Sequence, residues 1–395
     1  MEACDLALHQ GVRPSRAAAT IVGATLLATG VAPAALAAPK VTLNASKTRV
    51  SFGSSVTLHG KLSPAAAGST VRIVDGSGRV RARAKTDAQG LYSAKLAPRR
   101  RVVLRARSQG ITSAGVWIRV RPHINARLRG VKLFGRARVT GVVRPRHGDG
   151  RVTVRLFRNG KPARKRKIPL DAGGFAARFA IRRPGTYRAK VSFNDSDHLG
   201  ASDASTRRSP KLPQLTIGSR GAAVKRLERK LRRLNYHIKK VNRHYDLRTS
   251  DAVRAFHKVQ GAPRIGTVVK ATWRALASPK RPRPRSVNKR FHIEIDQTKQ
   301  VLYTVRRGKV TNILHTSTGK DGITRDGVWY VFRKIAGYSP GRLYYPSYFD
   351  GLRAIHGWPE VPTSAASHGC ARVPMWAARW IYRKAGIGTQ IRIYH

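Results

Sequence analysis

Cysteine is nearly missing from this chain: it occurs twice in 395 residues, at Cys4 and Cys370. That excludes a disulfide-stapled scaffold. No Cys-x-x-Cys or His-x(3–5)-His pair offers the ligand spacing of a structural zinc site. Acidic residues are scarce too, 18 against 79 Lys and Arg, for a formal net charge of +61. The imbalance is spread along the chain. Residues 40–209 carry 39 basic and 7 acidic groups, 210–278 carry 17 and 3, and 288–395 carry 17 and 6. A dispersed charge is not the localised footprint of a nucleic-acid reader, and no specific nucleic-acid partner is expected. Beyond Pro39 no run is long and apolar enough to span a bilayer.

What is present begins with an export segment. Arg13 and Arg16 precede an Ala-rich apolar run from Ala17 to Ala37, and Ala35-Leu36-Ala37 has the small-x-small form of a cleavage site. Residues 1–38 are therefore read as a signal peptide. An uncleaved membrane anchor is the alternative, because the run approaches the ~20 residues of a span. An exported, strongly cationic chain points to a cell-wall location and to anionic wall polymers as partners. Cleavage would leave Cys370 as the one thiol, and a lone thiol outside the cell needs a role other than a disulfide.

Residues 40–209 alternate in short segments such as Thr70-Val71-Arg72-Ile73-Val74, separated by turn signals such as Asp75-Gly76-Ser77-Gly78. They contain an internal repeat. Asp87-Ala88-Gln89-Gly90-Leu91-Tyr92 recurs as Asp171-Ala172-Gly173-Gly174-Phe175-Ala176, and Thr70–Val74 recurs as Thr153–Phe157. An offset of 83 to 84 residues is one whole domain. Two β-sandwich modules, 39–122 and 123–209, follow, and they resemble bacterial immunoglobulin-like modules. With no catalytic grouping, they read as spacers.

Residues 210–278 change period. Val224, Leu227, Leu231, Leu234 and Ile238 recur at helical spacing, with Ser219 as the expected cap. Thr249 or Ser250 is expected to cap a second helix bearing Val253 and Phe256, and a third carries Val269, Trp273 and Leu276. The three make a small bundle in which Phe256 and Trp273 are core. Gly218-Ser219-Arg220-Gly221-Ala222-Ala223-Val224, Ala252–Phe256 and Ala271–Leu276 make this segment similar to the small peptidoglycan-binding helical domain of wall enzymes. It lacks that family's Asp-Gly turn and the aromatic-Gly pair that follows, having Asn242-Arg243 and Tyr245-Asp246 in those places. Residues 279–287 alternate proline with arginine and are expected to form an extended linker that holds its neighbours apart.

From Asn288 the pattern returns to strands. Phe291, Ile293 and Ile295 alternate with His292, Glu294 and Asp296, which predicts a half-buried strand. Strands are also expected at Val301–Val305, Val310–His315, Trp329–Phe332 and Gln390–Tyr394, with one helix between Pro374 and Gly386. The result is a mostly-β module of residues 288–395. Its chemistry lies in Ile355-His356-Gly357 and Ser367-His368-Gly369-Cys370-Ala371-Arg372-Val373. A thiol is only a few per cent ionised at neutral pH, so an imidazole must take its proton, and either His356 or His368 is near enough in sequence. In an extended segment His368 and Cys370 would share a face, and the amides of His368, Gly369 and Cys370 could converge as an oxyanion hole. Three zinc ligands, or a buried cysteine beside unrelated histidines, are the rival readings of the same residues.

This module resembles the L,D-transpeptidase family, whose signature is a histidine, a gap, and Ser/Thr-His-Gly-Cys. The likeness extends to Val301-Leu302-Tyr303, Ser317-Thr318-Gly319 and Tyr344-Tyr345-Pro346-Ser347-Tyr348-Phe349. It implies Cys370 as the acylated nucleophile, His356 as the base oriented by the Gly357 carbonyl, and His368 lining the site and assisting the oxyanion with Gly369. Ser367, Arg372 and Tyr348 are the implied substrate contacts. Arg372 stands where the family commonly has Asn, and Thr324-Arg325-Asp326-Gly327 replaces a usual Thr-Pro-x-Gly. The implied activity is formation of 3→3 cross-links between peptidoglycan stem peptides by a monomer, with release of D-alanine and with no metal or organic cofactor required. L,D-carboxypeptidase action at the same site and a non-catalytic wall-binding protein are the alternatives.

Overall fold

The computed structural model describes residues 38–146 and 150–395, so the signal-peptide reading lies, apart from Ala38, outside the described residues. Among the described residues, four α-helices and a series of sheets divide into four bodies along the chain.

In the first β module, Val56–Ser63 pairs with Lys40–Val41, Asn44–Ala45 and Leu91–Leu96. A second sheet runs in the order Arg49–Ser51, Val116–Arg121, Val102–Ser108, Thr70–Asp75, Val80–Lys85. Leu58, Ile73, Leu104 and Ile118, drawn from both sheets, form one core. The second module repeats the plan. A sheet of His123–Arg129, Arg136–Arg144 and Gly174–Ala180 shares a core with one ordered Lys161–Pro169, Arg151–Arg158, Tyr187–Phe193, Ala201–Ala204. The strand period explains where the charge goes. In His123–Arg129, Ile124, Ala126 and Leu128 point inward while Arg127 and Arg129 point to solvent. The edge strand Lys161–Pro169 carries Lys161, Arg164, Lys165, Arg166 and Lys167 exposed, which discourages strand addition there.

The helical body contains α1 (Ala222–Arg233), α2 (Leu247–Gln260) and α3 (Lys270–Ala277). Val224, Leu227, Leu231, Phe256, Trp273 and Leu276 are buried together, Phe256 and Trp273 as core. The helix starts differ from expectation. Gly221 precedes α1, and the Ser219 hydroxyl instead accepts from the Thr216 amide. For α2 the cap is Asp246, whose carboxylate accepts from the Thr249 amide at 2.9 Å, so Thr249 and Ser250 lie inside the first turn. A short acidic side chain three residues upstream satisfies the orphan amide that Thr249 cannot satisfy for itself.

The C-terminal body has two sheets and a helix. One sheet is ordered Lys309–His315, Val301–Arg306, His292–Asp296, Gln390–Tyr394, Gly327–Tyr330. The other is ordered Arg333–Lys334, Tyr344–Asp350, Arg353–Trp358, Ala371–Pro374, with α4 (Met375–Lys384) packed on it. His292–Asp296 is buried at all five positions, not half-buried. Its polar face is covered by the segment expected to be a spacer. The Arg285 and Ser286 amides donate to the Glu294 carboxylate at 2.9 and 2.8 Å, and Arg285 stacks on Tyr394. Residues 279–287 therefore strap the bundle to the sheet and do not hold them apart. The two bodies share one core: Val301, Tyr303, Val305, Val310 and Ile313 pack with the bundle residues. Backbone joins them as well. The Ile313 amide donates to Asn235, the His237 amide donates to Ile313, and Tyr236 lies parallel to Ile313 along the edge strand.

Candidate active site

Two neighbouring parallel strands build the site. Arg353–Trp358 and Ala371–Pro374 run in register, with Ile355 opposite Ala371 and His356 opposite Arg372. Extending that register by one residue sets Cys370 beside Ala354, and the Ala354 amide points at the Cys370 sulfur at 3.4 Å. Side chains alternate along strands, so Ala354, His356 and Trp358 share a face with Cys370 and Arg372. His356 and Cys370 are thus diagonal neighbours across two strands, the thiol half-buried and free, the imidazole buried.

His356 is oriented by its own backbone. Its Nδ1 lies 2.9 Å from the Gly357 carbonyl, which can only accept, so Nδ1 carries the proton and Nε2 keeps a lone pair. Trp358 packs edge-on to the imidazole at 5.6 Å, and the Arg372 guanidinium lies over Trp358 at 5.2 Å. Burial, opposed by the Gly357 hydrogen bond and reinforced by the charge of Arg372, holds His356 down at about 4. Burial pushes the Cys370 thiol up, while the Ala354 amide and the charges of Arg372 and Arg353 pull it back. Both shifts favour the neutral forms, so the resting pair is thiol and imidazole. Gly357 is required by packing: a Cβ there would stand 2.7 Å from the Ala378 methyl of α4.

The turn before the thiol is organised differently from the extended segment expected. Residues 368–369 bend, with Gly369 at φ +114°, so His368 does not lie alongside Cys370. His368 is exposed and makes no side-chain hydrogen bond among the described residues. The Gly369 amide is already engaged, donating to the Ser367 hydroxyl at 3.1 Å, and that hydroxyl donates to the Cys370 carbonyl at 2.6 Å. Ser367, buried at 3%, therefore shapes the turn, and its hydroxyl takes up the Gly369 amide. Tyr348 is largely buried, with the Arg333 guanidinium 4.1 Å from its ring.

Sequence reasoning missed three supporting residues. Thr324 is buried, donates from its hydroxyl to the Gly369 carbonyl at 2.8 Å, and accepts the Gly319 amide at 2.7 Å. It closes the turn that the absent Thr-Pro-x-Gly proline would otherwise stiffen. Ser317 donates to the Ser364 carbonyl at 2.7 Å and pairs its backbone with Arg372. Arg353 donates to Asp350 at 2.7 Å, and its Nε, buried against Gly369, has no partner among the described residues. The Ser317-Thr318-Gly319 run and Thr324, at the start of Thr324-Arg325-Asp326-Gly327, gave an advance signal as family flanks; Arg353 gave none.

Residues 290–393 match the L,D-transpeptidase catalytic domain family, and residues 220–276 match a peptidoglycan binding domain family. Among solved structures, an L,D-transpeptidase from Xylanimonas cellulosilytica is 35% identical, covering 47% of this chain and 100% of that one at TM-score 0.44. An L,D-transpeptidase from Stackebrandtia nassauensis is 22% identical over 46% of this chain and 95% of its own, at TM-score 0.30. No curated protein matches the chain.

Proposed function

We propose that this chain, which belongs to the L,D-transpeptidase family through residues 290–393, is an exported enzyme that cross-links peptidoglycan through a Cys370 thioester. The observation that carries the reading is the register pairing a thiol strand with an imidazole strand, the imidazole held with Nε2 unprotonated.

In the first half-reaction, His356 Nε2 takes the thiol proton as Cys370 Sγ bonds to the carbonyl carbon between the third stem residue and D-alanine. Coupling the two events suits a pair whose neutral forms are favoured, since no free thiolate has to accumulate. With the Gly369 amide engaged by Ser367, the donors for the developing oxyanion are the amides of His368 and Cys370. Collapse breaks the carbon–nitrogen bond, the imidazolium proton passes to the departing D-alanine amine, and a thioester remains. In the second half-reaction a side-chain amine of a neighbouring stem attacks the thioester and gives its proton to His356. The carbon–sulfur bond breaks and the thiolate regains a proton. The product is a 3→3 cross-link. Water in place of the amine gives L,D-carboxypeptidase action at the same residues.

Arg372 and Arg353 set two positive charges beside the thiol, which suits the carboxylates of a stem peptide. The helical body adds a peptidoglycan-binding domain, making peptidoglycan the partner. Outward-facing Lys and Arg on the β modules suit anionic wall polymers. Intact-protein mass spectrometry after carbapenem treatment tests the whole reading. One drug mass on Cys370, absent from Cys370→Ala, is expected. A wild-type protein that stays unmodified refutes it.

A further inference from the structure

Between the base strand, which ends at Trp358, and Ser367 the chain forms neither helix nor strand. Residues 359–366 nevertheless determine where Ser367–Cys370 lie, so their position depends on side-chain and backbone anchors. The Ala366 and Ser367 amides donate to the Thr318 carbonyl, and Ser317 holds the Ser364 carbonyl. Of the other two carbonyl anchors, one comes directly from the helical body and the other is a sheet histidine that the helical body holds. Arg264, in the loop after α2, donates from Nη1 to the Thr363 carbonyl at 2.7 Å and from Nη2 to Thr298 at 2.8 Å. Lys258, near the end of α2, reaches the same segment through His315, whose Nε2 lies 2.8 Å from the Val361 carbonyl.

The Lys258 site is built with complete donor accounting. Its Nζ has three acceptors: the Gln300 carbonyl at 2.9 Å, the Thr316 carbonyl at 2.9 Å and His315 Nδ1 at 2.8 Å. An ammonium has three protons to give. Because the Val361 carbonyl only accepts, His315 Nε2 carries the imidazole proton and Nδ1 is free to accept from Lys258. One proton arrangement satisfies every atom. Lys258 is 3% exposed and His315 2%. Burial pulls Lys258 down to about 6, but Nζ faces three acceptors and no donor, an arrangement that only the ammonium satisfies; burial with the Lys258 charge holds His315 at about 3. A buried cation is a poor route to stability, since an apolar side chain of similar volume costs no desolvation. What this cation does that an apolar residue cannot is fix the Gln300 and Thr316 carbonyls and, through His315, the Val361 carbonyl.

We propose that Lys258 and Arg264, two cations of the peptidoglycan-binding body, are positioning residues for the acyl-transfer site, holding the 359–366 segment so that Cys370 is presented at the correct place. The proposal rests on the reading of Cys370 as nucleophile. It makes the helical body part of the catalytic apparatus as well as a wall anchor.

The test measures carbapenem acylation of the full chain as a time course, separating drug affinity from the first-order acylation constant, with hydrogen exchange at Ala366 and Ser367 alongside. Lys258→Met is expected to lower the acylation constant by about tenfold or more, the scale expected when a reacting group is displaced by a fraction of an ångström. Drug affinity changes less, and exchange at Ala366 and Ser367 rises. Arg264→Ala, on a half-exposed loop that does not risk the core, loses a smaller factor that Arg264→Lys recovers in part. A purely structural role would shrink the reactive fraction and leave the rate constant of what reacts unchanged. Wild-type acylation constants in both Lys258→Met and Arg264→Ala overturn the proposal. A wild type that is never acylated overturns the nucleophile reading, and this proposal with it.

Discussion

The pH dependence of Cys370 acylation follows from the resting state of the pair. His356 is buried and held at about 4 against an ordinary 6.5, a difference equivalent to about 3 kcal/mol of resistance to charging. Protonation removes the base, so the acid limb of the acylation rate is expected near pH 4, with the plateau already reached at pH 6. An acid limb at low pH is also what a preformed thiolate–imidazolium pair would give, so a second measurement is needed. Ultraviolet thiolate absorbance of the free enzyme should rise only above the thiol's ordinary value, because burial pushes Cys370 up. An ion pair would show thiolate already at pH 6. Stability must be followed in the same samples. A histidine depressed in the folded state binds fewer protons than in the unfolded chain between its folded value and 6.5. Folding stability therefore falls as pH drops through that window and levels below it. His315, held at about 3, adds to the loss over a wider range. Acylation constants at low pH therefore count only where circular dichroism shows native protein. An acid limb centred between 6 and 7, or thiolate at neutral pH, would refute the neutral-pair reasoning.

Four substitutions extend the test. Cys370→Ala should abolish acylation and D-alanine release while leaving sedimentation with purified wall intact. Thr324→Val removes the donor to Gly369 and the acceptor for Gly319, two buried bonds, and should cost about 1–3 kcal/mol in urea unfolding together with a slower acylation rate. Gly369→Ala adds a Cβ 2.8 Å from Arg353 Nε at φ +114°, and acylation should drop sharply while the melting transition stays cooperative. Gly357→Ala drives a methyl into Ala378 and should destabilise by about 1–3 kcal/mol, measured by thermal melting.

Much of the architecture was readable because it is local. Alternation in His123–Arg129 and the 3.6-residue spacing of Val224, Leu227 and Leu231 are properties of neighbours in the chain, and the structure follows them. The Ser-His-Gly-Cys run and its upstream histidine were likewise visible as a pattern. What was hidden depends on partners far away or on a single dihedral. A positive φ at Gly369 turns His368 outward and cancels the two-residue alternation on which its placement relied. Ser367 takes up the Gly369 amide, which only the turn's geometry reveals. Residues 279–287 carry every mark of a spacer, yet the Glu294 carboxylate offers two acceptors to their amides. Lys258 meets His315 across 57 positions, with no periodicity to announce it.

The strand Lys309–His315 ends its sheet, and along it lies the Asn235–His237 stretch of the bundle. Cutting the chain at residues 279–287 to isolate the C-terminal body would strip that cover. Unpaired backbone groups and the side chains of Val301, Tyr303, Val305, Val310 and Ile313 would be left facing water. Such a fragment invites edge-to-edge self-association and precipitation. A soluble, active truncation should therefore begin ahead of Leu212, so that bundle and sheet are expressed as a single piece.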